Sequence, residues 1–66
     1  MKLKSVIGYY MNKHVNITFN IGSDAPLDIT GKILEVFYEG FIKFESDTHG
    51  IIALKIENIF AISEVL

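Results

Sequence analysis

Between residues 15 and 21 apolar and polar side chains alternate without a break, Val15, Ile17, Phe19 and Ile21 against Asn16, Thr18 and Asn20. A period of two sends one set to a buried face and the other to water, so this stretch predicts a strand. The stretch 27–38 begins in the same way, with Leu27, Ile29, Gly31 and Ile33 on one side and Asp28, Thr30 and Lys32 on the other. The alternation then slips, because Leu34 and Val36 carry apolar character to the opposite face and Glu35 interrupts the first. A slip of one residue moves every later side chain across the sheet, which predicts a bulge or bend. Gly31 marks the expected place, since a residue without a Cβ permits a tight bend or a close crossing of backbones.

The remaining elements follow from similar patterns. Leu3, Val6, Ile7 and Tyr10 fall at helical spacing, which predicts a short amphipathic helix over 3–11 that packs over the end of the sheet. Gly8 and the β-branched Val6 and Ile7 lower its intrinsic propensity, so docking must hold it. Residues 22–26, Gly-Ser-Asp-Ala-Pro, concentrate turn formers and read as a connection. Glu39-Gly40 predicts a tight hairpin leading into a strand over 41–45, and 46–50 a second turn. A fourth strand is expected over 50–56, a break at Glu57-Asn58, and a fifth strand over 59–62 with a tail to 66. The fold class is therefore mainly β: a short N-terminal helix, then a five-stranded, strongly bent antiparallel sheet forming a small barrel in one domain over 1–66.

Length changes how the apolar patterns are read. A chain of 66 residues hides only about 60% of the surface exposed when unfolded, and such domains usually need a disulfide, a metal or self-association. Cysteine is absent, which excludes disulfides and thiolate metal sites, and only His14 and His49 carry imidazole. Half of the residues are nevertheless apolar. The fourth strand is apolar on both faces, Ile52, Leu54 and Ile56 on one and Ile51 and Ala53 on the other. Such a strand calls for a cover, most simply a second copy of the chain. Ile51, Ile52, Leu54, Ile56, Phe60 and Ile62 are accordingly the expected oligomer interface.

Charge and chemistry narrow the function. Eight acidic residues stand against six lysines, with no arginine, a balance that opposes strong non-specific nucleic-acid binding. No apolar run is long enough to span a bilayer and no secretion signal is recognisable, so the expectation is a cytoplasmic protein with no membrane association. The loop at 22–26 lacks the Gly-Lys-Ser/Thr ending of a phosphate loop. Asp47 and His49 are the only carboxylate and imidazole near one another in sequence, and a turn accounts for both. Glu35, Glu39 and Glu45 read as a solvated face, and no nucleophile lies beside a base. A chain this small is expected to have little volume for a pocket of about 300 Å³ or more. No enzymatic activity, metal or cofactor is expected.

A helix followed by five short strands, the second long, bent and carrying a glycine, resembles the Sm-like (LSm) family over almost the whole chain. Gly31-Lys-Ile33 matches the Gly-x-Leu of that family's first motif, with Ile42 and Phe44 at its closing apolar positions. The run 55–59, Lys-Ile-Glu-Asn-Ile, resembles the Arg-Gly-x-Asn-Ile of the second. The resemblance implies that the fourth strand of one copy pairs with the fifth of its neighbour and closes a ring. It also implies an RNA site at Phe37, Phe41, Lys55 and Asn58. The family's polar Asp and Asn of the first motif are here Phe37 and Phe41, and its Arg-Gly is Lys55 and Ile56. The Tyr-Lys-His run typical of bacterial Hfq is also missing from the second motif. Base recognition needs donors and acceptors or a stacking platform, and in a small barrel the phenylalanines read as core. Two functions follow: a non-enzymatic Sm-like homo-oligomer with weak or altered RNA binding, or an SH3-like adaptor for a protein partner with no nucleic-acid role.

Overall fold

The computed structural model describes the backbone of residues 3–22, 25–37 and 39–66 and the side chains from residue 6 onward within them. Ser23 and Asp24 of the expected loop and Tyr38 at the end of the expected second strand lie outside the described residues. The chain runs α1 (Leu3–Tyr10), β1 (His14–Phe19), β2 (Leu27–Val36), β3 (Phe41–Ser46), β4 (Gly50–Lys55), a 3₁₀ turn (Ile56–Asn58) and β5 (Ile59–Glu64). All strand pairs are antiparallel, in the order β4-β3-β2-β1-β5. The sheet is not closed: β4 and β5 form its two edges, so the expected barrel is an open, bent sheet.

Alternation decides which face each strand buries. In β1 Val15, Ile17 and Phe19 point into the core while His14 is exposed and Asn16 and Thr18 are half-buried. Across the ladders Ile33 faces Phe44 and Ile42 faces Leu54, and with Val15, Ile17 and Phe19 of β1 and Ile59 of β5 the apolar positions of all five strands meet in one core. Ile7 of α1 is fully buried there, with Tyr10 and Met11 packed against the cluster. The helix stops because Asn12 adopts a left-handed backbone (φ 63°), a conformation asparagine tolerates better than most residues. The Asn12 N–H then donates to the Ile33 carbonyl at 3.2 Å, tying the helix end to the middle of β2.

The bend in β2 lies three residues beyond its expected place. Ile33 pairs with Phe44 and Glu35 with Lys43, which leaves Leu34 as the extra residue of a bulge. That insertion turns the strand's parity, so Glu35 stays exposed and Val36 returns to the core. Gly31 is regularly paired on both sides, to Val15 and to Ser46. Its role is close approach: a Cβ there would overlap the Glu45 carbonyl oxygen and press on the Phe44 ring.

β1 also ends earlier than its alternation predicts. The Asn20 N–H donates to the Asn58 carbonyl and the Asn20 side chain accepts from the Gly22 N–H, both at 2.8 Å, so the chain turns out of the sheet. Ile21 is left exposed as a result. At the other turn Ser46 is buried but satisfied, its Oγ accepting the backbone N–H groups of Thr48 and His49.

Candidate functional site

Three of the four residues expected to meet RNA converge at one end of the β3–β4 ladder. The Phe37 N–H donates to the Phe41 carbonyl at 2.8 Å, and Phe41 pairs directly with Lys55. The bend that joins them uses Gly40 with φ 91°, a backbone conformation that favours glycine. Neither phenylalanine belongs to the hydrophobic core: Phe41 is exposed and Phe37 half-buried, which corrects the expectation that they fill the interior. The reason is position. Phe41 begins β3 at an exposed position just before buried Ile42, and the chain has already left the β2 ladder at Phe37. Lys55 is exposed, but its Nζ lies 3.2 Å from a Glu57 carboxylate oxygen, so its charge is already partly matched. Asn58 ends the 3₁₀ turn that follows Lys55, and its backbone carbonyl accepts the Asn20 N–H at the end of β1.

The residues expected at an oligomer interface divide into three kinds. Ile51 on β4 and Phe60 on β5 are exposed, at 59% and 64%. Ile52 and Ile62 are half-buried against the core. Leu54 and Ile56 are buried within the subunit itself, so their side chains offer no surface to a neighbour. Leu54 is drawn inward because it stands opposite Ile42, and Ile56 because the 3₁₀ turn directs it into the core.

Sequence spacing gave no sign of one polar contact. His14 Nε2 lies 2.7 Å from Asp47 Oδ2, joining the start of β1 to the β3–β4 turn across 33 positions. The nearer pair, Asp47 and His49, does not form; His49 Nδ1 meets the Thr48 hydroxyl at 2.8 Å instead. On the side of the β1–β2 ladder away from the core Asn16 donates to the Thr30 hydroxyl and the Thr18 hydroxyl donates to Asp28. Among the described residues no group of three or more His, Asp or Glu is placed to hold a metal, and no helix is long and apolar enough to cross a membrane.

A cavity of about 370 Å³ opens on the molecule, lined by Phe19, Leu27, Asp28, Ile29, His49 and Ile52. Its size corrects the expectation that so short a chain leaves little room for a pocket. It exists because the bent, unclosed sheet brings the start of β4 toward the first residues of β2 without pairing them. Comparison with known proteins identifies no relative: no family model matches the chain, and no curated protein or solved structure matches it significantly.

Proposed function

We propose that the chain is a non-enzymatic, Sm-like module that works as a homo-oligomer, β4 of one copy pairing with β5 of the next. The observation that carries this reading is the strand order, which leaves β4 and β5 as the two free edges. These are the strands through which the Sm-like resemblance implies assembly. An unpaired edge presents a row of backbone donors and acceptors, and a neighbouring strand satisfies them most fully. Ile51 and Phe60 add apolar surface to those edges. At micromolar concentration, light scattering or sedimentation should therefore find more than one copy per particle. A single 7.5 kDa species at every dilution would end this reading.

RNA binding on this reading is weak and indifferent to base. Phe37 and Phe41 supply faces for stacking but no donors or acceptors from their side chains. Lys55 supplies one charge per subunit, shared with Glu57. Oligo-U and oligo-A should bind alike and lose affinity steeply with salt. Lys55→Ala should remove most of the binding, whereas Glu57→Gln should strengthen it by freeing the ammonium. Tight, uridine-selective binding that survives salt would refute the account.

The net charge of −2 and the Lys55–Glu57 pair favour a second reading, an SH3-like adaptor for a protein partner. On that reading the same measurements show no oligonucleotide binding at any salt concentration.

A further inference from the structure

The cavity lies against one of the free edges. Ile52 of edge strand β4 and His49 of the turn before it stand with Phe19, Leu27 and Ile29 from β1 and β2. Asp28 also lines it, but the Asp28 carboxylate accepts from the Thr18 hydroxyl at 2.6 Å on the opposite face of the ladder. What the hollow offers is therefore mainly apolar, and it suits an apolar side chain better than a charged group.

The other edge carries such a side chain. Phe19 pairs with Ile59 and Thr18 with Ala61, so Phe60 is an extra, unpaired residue in β5 and is 64% exposed. A bulge re-aims its residue away from the regular alternation. Edges are usually protected from pairing by charges or proline. Neither edge has them along most of its length: residues 50–54 read Gly-Ile-Ile-Ala-Leu and residues 59–63 Ile-Phe-Ala-Ile-Ser.

We infer that Phe60 of one copy seats in the Phe19–Leu27–Ile29–Ile52 cavity of the next, as a knob in a socket. The inference rests on the edge pairing proposed above and adds to it the side-chain contact that makes one edge fit the other. Phe60 stands on β5, next to Ile59, which pairs with Phe19 of the socket wall, while the socket's far wall is Ile52 of β4. The junction therefore joins unlike edges, and a pair of copies keeps one knob and one socket free.

The test uses two variants of the chain at exposed positions. Phe60→Asp removes the knob, and Leu27→Asp, at a position 46% exposed, places a charge in the socket. Circular dichroism on heating checks that each remains folded, and sedimentation equilibrium measures association. Each variant alone should associate at least about tenfold more weakly than the parent, the loss expected of a buried aromatic anchor. Mixed in equal amounts they should regain dimers, because the Leu27→Asp chain still has a knob and the Phe60→Asp chain an intact socket. Failure of the mixture to pair overturns the inference. If the parent associates and both variants associate as tightly, edge pairing stands and the knob and socket fall. If the parent does not associate at all, the edge-pairing reading itself has failed.

Discussion

Gly31→Val should destabilise the protein by more than about 2 kcal/mol, measured as a loss in urea denaturation followed by circular dichroism. The cause is not backbone conformation, because Gly31 is regularly paired between Val15 and Ser46 and is absent from the positive-φ residues. The cause is contact. The first atom added would overlap the Glu45 carbonyl oxygen, and the Phe44 ring lies 2.9 Å from the same point. A flexible side chain can move aside, but a carbonyl held in a ladder cannot do so without displacing β3. Gly31→Ala should therefore be costly too, and Phe44→Leu in the same chain should not rescue it. Rescue would show that the ring, rather than the backbone, sets the limit. A midpoint for Gly31→Val equal to that of the parent would mean that the β2–β3 approach is wrong.

Phe44→Ala should cost about 3–5 kcal/mol, the range for removing a buried phenylalanine. Phe44 is fully buried, stands between Ile33 and Ile52 in the ladders, and is among the largest of the fully buried side chains. A chain of 66 residues has a total stability of roughly 3–10 kcal/mol. The variant should consequently be partly or wholly unfolded at room temperature without denaturant. Phe41→Ala, an exposed aromatic on the other face of the same strand, is the control and should change stability by less than about 1 kcal/mol. Equal losses from the two changes would contradict the assignment of faces in β3.

Much of this architecture could be read from residue order. β1 was legible because its alternation is unbroken, and β3 and β4 because turn formers bound them. The parity change in β2 was legible too, since Ile33, Glu35 and Val36 cannot all occupy sensible faces of one flat strand. Its location was not, because a glycine that serves a close crossing looks the same in sequence as one that serves a bend. The structure separates the two tasks, giving the crossing to Gly31 and the bulge to Leu34. The bulge at Phe60 was illegible because Ile59, Phe60, Ala61 and Ile62 are all apolar and carry no phase. Of the candidate residues, Phe37, Phe41 and Lys55 are joined by one tight turn and the β3–β4 register, both bounded by turn formers in the sequence. His14 and Asp47 meet only because two separate strands bring them together, a fact no local pattern contains.

The place of β1 between β2 and β5 also has a consequence in time. One side of β1 can be paired once residue 36 is available, but the other side waits for residues 59–64. At the usual pace of translation that interval is on the order of seconds, long compared with the microseconds in which a hairpin forms. Through it the nascent sheet ends in an uncovered β1, with Ile17 lacking its later neighbour Ile62. The strand most regular in sequence is thus the one whose pairing is completed last, and a chain cut short before residue 59 would keep that adhesive edge uncovered.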